Sequence, residues 1–396
     1  MMLRVGEGHA RGFRLARQRL VRPAPVGALP DVAGATGIQH SPPGSAAQSL
    51  HVRLDGLTPA HVTAALTRDR ILAQVWSLRG APHVMGVADV GVFTTGLLPN
   101  DEDSCRHFIR GAERHLAAFG LSASTAVEHT LAALGPVLDG RALTKDELGV
   151  ALAEQVAARV PGVRKGPWEE PDGLGRNTYG QSLVRYALYV AGLYGTVCFV
   201  PEGEGAARFA LTGQWLGAPV PVWDPLTARA ELLRRYLRCH APATPREFAA
   251  WSGVSPAYAS RSWESLAGEL TEVRYRDTPA WVLSADTDLL RDPPQATGIR
   301  LLPPHDPYLA TQDRTGLIPD QASRRKVWRT VGNPGVVLAD GEIAALWRPR
   351  KQGGRLTLRV EPFTTLSAAA KTAIDDAAEA LAPFRGADTA IVTVEP

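Results

Sequence analysis

At 396 residues and 45% hydrophobic, the chain is too long for one domain and apolar enough to bury several cores, which implies roughly two to four. No apolar run approaches the roughly eighteen residues of a membrane span, and the arginine-studded start, Met1 to Leu20, lacks a signal-peptide core, so a cytoplasmic protein is expected. The formal charge is only +3, but from Arg300 to Glu361 eleven Lys or Arg stand against six Asp or Glu, a local basic footprint suited to a polyanion.

Phe13 to Leu20, Pro30 to His40 and Gly44 to Leu54 predict helices. Ile71 to Leu78 and His83 to Val87 predict a hairpin that turns at Arg79-Gly80. Next, Thr144-Lys145-Asp146-Glu147 is a capping box, in which a Thr hydroxyl and a Glu carboxylate satisfy free amides at a helix start; it opens a helix through Arg159. A Pro- and Gly-rich loop follows, then a helix from Gln181 to Tyr194, and strands at Thr196 to Val200 and Arg208 to Thr212 flank the turn Glu202-Gly203-Glu204-Gly205.

The third segment is the most regular. A helix over Ala228 to His240 precedes a second capping box, Thr244-Pro245-Arg246-Glu247, whose helix ends near Gly253, and Ser255-Pro256 caps a third helix to about Leu266. Strands at Leu270 to Arg274 and Trp281 to Ser284 form a hairpin through Asp277-Thr278-Pro279. Three helices and a hairpin make a winged helix. The same element order, without a sequence period, recurs upstream, so the expected architecture is α+β: tandem winged-helix units at 10–100, 101–225 and 226–292. A C-terminal β-rich α/β domain, 293–396, is expected from strands at Val336 to Leu338, Ala344 to Trp347 and Leu356 to Val360, a basic hairpin tip Arg348-Pro349-Arg350-Lys351-Gln352-Gly353-Gly354, and a helix Ser367 to Leu381.

Cys105, Cys198 and Cys239 lie far apart and form no Cys-x-x-Cys pair, so they read as buried thiols. There is no phosphate-binding glycine loop, and neither Cys105 with His107 nor Cys239 with His240 has further ligands nearby. No metal and no cofactor is therefore expected.

Five ordered stretches carry a family resemblance: Gly37-Ile38-Gln39-His40-Ser41; Val75-Trp76-Ser77-Leu78-Arg79-Gly80-Ala81-Pro82-His83; Ala241 through Gly253; Leu301-Leu302-Pro303-Pro304-His305-Asp306-Pro307-Tyr308-Leu309 with Asp313-Arg314; and Gly353-Gly354-Arg355-Leu356 into Val360-Glu361-Pro362-Phe363. Together they resemble the AlkZ-type winged-helix DNA glycosylases, which excise bulky alkylated purines and include bacterial self-resistance enzymes against DNA-alkylating antibiotics. The resemblance implies a C-shaped body around duplex DNA, expected as a monomer, and an active-site Gln-x-Gln or Gln-x-Asp on a helix of the first unit. Gln39 fits the first position; the second falls on Ser41, with His40 between.

The chemistry constrains the substrate. N-glycosidic hydrolysis passes through an oxocarbenium-like state and needs a water placed at C1′. A glutamine positions water but does not ionise, which suffices when the leaving purine is already cationic from N7 or N3 alkylation. Ser41 is a second candidate holder of that water, and His40 a proton acceptor if its ring is neutral. Residues two apart do not share a helix face, so that geometry requires a helix end, here supplied by Pro42-Pro43. Ordinary polar residues at a helix terminus are the alternative.

Arg79, His83 and Arg314 are expected at the DNA or lesion pocket, with a satisfied structural histidine as the alternative for His83, and Arg348, Arg350, Lys351 and Arg355 at phosphates or in the minor groove, with a solvated hairpin as the alternative. For Asp306, Tyr308 and Asp313, and for Arg314 as a border of the pocket, turn shaping and salt bridges are favoured over a pocket role. The third unit's last helix offers only Arg261 as a basic base reader, so sequence-specific readout is not expected. No lysine lies near Gln39 to form a Schiff base, which implies a monofunctional enzyme leaving an abasic site. The competing reading, motivated by Ser41, is a non-catalytic winged-helix protein: a regulator or lesion shield. Base flipping stays open.

Overall fold

The computed structural model describes residues 3–160, 162–163, 166–201 and 206–395; the expected turn Glu202-Gly203-Glu204-Gly205 lies outside these. Mixed helices and four sheets make up the fold. Among the described residues no helix is long and apolar enough to cross a membrane.

Local signals place most helices. Thr144 and Glu147 close a reciprocal capping box that opens Lys145–Arg159, and Thr244 with Glu247 does the same for Pro245–Ser252. Asp224 caps Pro225–His240 and Ser255 caps Pro256–Ser265. The hairpin that follows, Leu270–Tyr275 with Thr278–Leu283, turns through Arg276 and Asp277, both left-handed, one step earlier than the sequence suggested. Its outer edge is covered by an N-terminal strand, Leu3–Val5, running parallel to Leu270–Tyr275. Tyr236, Phe248, Trp251, Tyr258 and Trp263 fill the core beneath.

Non-local pairing decides the rest. The hairpin Leu72–Trp76 with Pro82–Gly86 does not stand alone: Gln74 pairs with Phe199, which joins it to Val197–Val200 and Arg208–Leu211 in one six-stranded sheet. Strands from the first two expected units thus share a sheet. Trp76 seals the junction, stacked on Phe209 at 4.4 Å between ring centres. Helices at Glu102–Phe108, Glu113–Phe119 and Ala123–Leu138, which the sequence reading did not foresee, pack behind this sheet.

One expectation fails at the residue that matters most. The helix read over Pro30 to His40 ends at Thr36, because Gly37 adopts φ 63°, a conformation only glycine takes freely. A side chain there would also stand 3.1 Å from the Phe93 ring. Ile38–Gln39 instead forms a short strand, with Gln39 opposite His83. Gln39 is therefore on extended backbone, not on a helix ended by Pro42-Pro43.

The C-terminal sheet is antiparallel through Ile299–Leu302, Gly335–Ala339, Glu342–Gln352 and Arg355–Pro362, and the helix Ala368–Leu381 crosses over to a parallel last strand, Thr389–Val394. Leu301, Val337, Trp347, Leu356 and Leu358 face that helix. On the opposite face Leu302, Val336, Leu338 and Leu346 pack on the body around Tyr308 and Leu15. The basic tip is smaller than expected: only Gly353-Gly354 turns, and Arg348 through Gln352 belong to the strand.

Candidate active site

Gln39, Arg79 and Arg314, drawn from three distant stretches, line one cavity of about 270 Å³ with His305, Gln312, Trp328 and Asn333. Gln39 is half-buried at its edge. Its strand is fixed from both sides, since the Ser45 hydroxyl donates to the Gln39 carbonyl at 3.0 Å and the His40 amide donates to the Pro82 carbonyl at 2.8 Å.

Arg79 sits at the hairpin turn with φ 55°. One guanidinium nitrogen donates to the Trp251 carbonyl and another to Gln39 Oε1 at 3.3 Å. Because arginine only donates, the amide oxygen of Gln39 must face it, and among the described residues the Gln39 NH2 is left as a free donor at the cavity. On the far wall Arg314 lies over the Trp328 ring at 5.3 Å, which holds the cation without an acidic partner. No carboxylate lines the cavity among the described residues, nor does a lysine.

His305 falls within one of the stretches that carry the family resemblance. The turn between Pro303-Pro304 and Asp306-Pro307 holds it left-handed, at φ 61°, beside the cavity. His305 is exposed at the cavity; desolvation, and then the charge of Arg79, lower its pKa from the ordinary histidine value, which favours the neutral ring that can accept a proton. The signal that could have found it is a histidine inside a Pro-rich turn, since such turns aim side chains outward.

The other expected residues divide. Ser41 and His40 do not line the cavity. Burial keeps His40 neutral, as the sequence reading required of a proton acceptor, but its Nε2 takes the Gly44 amide at 3.4 Å. His83 is 2% exposed, its Nδ1 bonds to the Ala81 carbonyl at 3.0 Å, and burial drives its pKa to about 3. A neutral, enclosed ring makes no phosphate contact, so that expectation is corrected: His83 backs Gln39 across the strand pair.

Asp306 is fully enclosed and accepts two bonds from Arg53 at 2.7 and 2.8 Å, while Asp313 binds Arg14 and the Tyr275 hydroxyl, each at 2.7 Å. Tyr308 is buried too. All three are structural, as favoured from sequence. Arg261 is held by Asn100 and Asp101, and Tyr258, Ser262 and Trp263 are buried, so the third helix presents little to a base edge.

Strand register sorts the basic tip. Arg348 pairs with Arg359, Arg350 with Thr357 and Gln352 with Arg355, which puts Arg348, Arg350, Arg355 and Arg359 on one face. Lys351, paired with Leu356, lies on the other. Arg348 donates to the Gly332 carbonyl at 3.2 Å, next to Asn333 at the cavity rim, so the arginine face continues from the Gln39 cavity.

The three thiols are buried, and their pKa values are pushed up to about 12, chiefly by burial. Among the described residues no three of His, Cys, Asp and Glu converge on a point where a metal would sit.

Three comparisons bear on this site. A family model described as "DNA glycosylase AlkZ-like" matches residues 32–384. The chain is 28% identical over 291 residues to the "Interstrand DNA cross-link repair glycosylase" of Streptomyces sahachiroi, covering 70% of this chain and 71% of that one. The solved structure of Streptomyces sahachiroi DNA glycosylase AlkZ has the same fold, with a TM-score of 0.77 at 22% identity over 99% of this chain and 100% of that one.

Proposed function

Because the chain belongs to the AlkZ-like DNA glycosylase family, and is thus a hydrolase of N-glycosyl bonds in DNA, we propose that its substrates are purines made cationic by N7 or N3 alkylation, with Gln39 as the residue that positions water. One observation carries this reading: Gln39 offers a free amide NH2 in a concave site that holds Arg79, Arg314 and neutral His305 but no carboxylate among the described residues. Such a site has no acid to protonate a leaving purine. The base must bring its own positive charge.

In the proposed reaction the C1′–N9 bond (C1′–N9 of a purine nucleotide) breaks and its electron pair neutralises the alkylated ring. Water held by Gln39 bonds to C1′, and its proton passes to His305 or to bulk solvent. Arg79 and Arg314 bind the flanking phosphates, whose negative charge in turn steadies the oxocarbenium ion. Without a lysine in the cavity no Schiff base forms, so the product is an abasic site.

We further propose the arrangement that brings DNA to this cavity: three tandem winged-helix units, 10–100, 101–225 and 226–292, and a C-terminal α/β domain, 293–396, curved into a C-shaped channel. The helix order and hairpin of 225–283 support it, as does the arginine face that runs on from the cavity. Duplex DNA with alkylated purines is the partner, and a role in repair or in self-resistance to a DNA-alkylating natural product follows.

Incubation with duplex carrying N7-alkylguanine, then alkali, should cut the strand at the lesion and release the free base in a mass spectrum. Intact strands with active, folded protein would overturn the substrate assignment and favour a protein that shields lesions without excising them.

A further inference from the structure

Between the Gln39 cavity and the arginine face of the C-terminal sheet the chain makes one short turn, from Trp328 to Pro334. Both ends of the turn belong to the cavity wall, Trp328 on one side and Asn333 with Pro334 on the other. The residues between them are open to solvent, and at the tip Val331 is 82% exposed. Single exposed valines are ordinary on a protein surface, so exposure by itself decides nothing. Position and rigidity set this one apart.

The turn is braced. Asn333 Oδ1 accepts the Arg329 amide at 2.9 Å, which closes its base, and Arg348 donates to the Gly332 carbonyl at 3.2 Å from the adjoining strand. Gly332 is left-handed at φ 70°, a conformation that glycine takes freely and a branched residue resists, so the chain reverses directly after Val331. The near end is held as well, since the Trp328 indole NH donates to the Leu309 carbonyl at 3.1 Å while Arg314 lies over the ring. The turn thus presents a short, branched, apolar side chain on a fixed support, with exposed Arg329 before it and Arg348 at its base.

A cationic setting suits the DNA backbone, but a phosphate gains nothing from a valine. The part of a duplex that does is the base stack, whose flat apolar faces open where one base is shifted or missing. Resting on the proposed placement of duplex DNA, we infer that Val331 is a wedge: it enters the stack beside the purine whose glycosidic bond lies at Gln39 and fills the space that the purine leaves. Partial displacement of the purine is enough. Val331 takes no part in bond cleavage; it stabilises the opened duplex against the stacked one, and the cost of opening is least where stacking is already weakened.

The test uses a duplex holding tetrahydrofuran, a non-cleavable abasic analogue, with 2-aminopurine as its 3′ neighbour, and reads fluorescence and binding together. Wild-type protein at saturation should brighten the 2-aminopurine severalfold, since stacking quenches this fluorophore. Val331→Ser should lose that brightening and weaken binding to this duplex about tenfold relative to an intact one, the effect of withholding one valine from an apolar slot. Val331→Leu should keep both. Bound wild-type protein without brightening, or equal brightening with Val331→Ser, overturns the wedge, as does failure of wild type to bind this duplex. The substrate reading is judged apart, by excision of N7-methylguanine: excision without brightening removes the wedge alone, and brightening without excision removes the reaction alone.

Discussion

The segment 305–314 shows two fates for similar residues within ten positions. His305, Gln312 and Arg314 line the cavity, while Asp306, Tyr308 and Asp313 are turned into the body. The inward carboxylates are saturated: Asp306 holds Arg53, and Asp313 holds Arg14, Tyr275 and Arg276. Those bonds tie the N-terminal helix Glu7–Arg17 and the loop after Ser45–His51 to the segment 305–314. The outward groups are left without acidic partners. Charge is thus used in structure on one side of the turn and left facing the cavity on the other, and substitutions on the two sides should separate stability from the proposed activity.

The largest effect is expected inside. Asp306→Asn leaves the Arg53 guanidinium buried and uncompensated, which costs about 3–5 kcal/mol; a markedly lower urea midpoint checks it, and an unchanged midpoint would erase the contrast. Next comes Gln39→Ala, with single-turnover excision falling about a hundredfold, the usual cost of a lost preorganised hydrogen-bond donor, while the urea midpoint hardly moves.

A third prediction concerns acid. Burial drives His83 and His240 to pKa values of about 3, and both ring nitrogens of His240 are enclosed without partners. In the unfolded chain each titrates near 6.5. Their folded values are depressed, so between 6.5 and 3 the unfolded state binds more protons. The protein therefore loses stability as pH falls through that window, by up to about 1.4 kcal/mol per pH unit for each histidine. Stability measured from pH 7 to pH 5 should fall less steeply in His240→Phe than in wild type; identical slopes would refute the assignment.

The smallest effect belongs to the free cations. Arg314→Ala should reduce the magnitude of the slope of log binding constant against log salt by about one, with the urea midpoint little changed. An unaltered slope would mean that Arg314 does not meet a phosphate.

Legibility followed the range of the interactions. The boxes at Thr144 and Thr244, and the caps at Ser255 and Ser367, are local, and the helices they open stand where the sequence put them. Gln39 was legible as a residue but not as a strand residue. Only Gly37, forced left-handed against Phe93, and a partner strand more than forty positions away decide its backbone. For His83 the sequence left a pocket role and a structural role open, because burial beneath the shared sheet is a tertiary fact, and the neighbours of His305 make its stretch read as a turn alone. Lys351 left the arginine cluster through strand parity, which a longer strand than expected revealed.

The central claim is that Gln39, rather than its neighbour two positions on, directs water to the sugar. Single-turnover release of N7-methylguanine by Gln39→Ala and Ser41→Ala, each at saturating enzyme, tests it directly. The account predicts about a hundredfold loss for the first and a rate within about threefold of wild type for the second, whose side chain lies off the cavity wall. A full rate for Gln39→Ala, or a collapse on removing Ser41 alone, would contradict it.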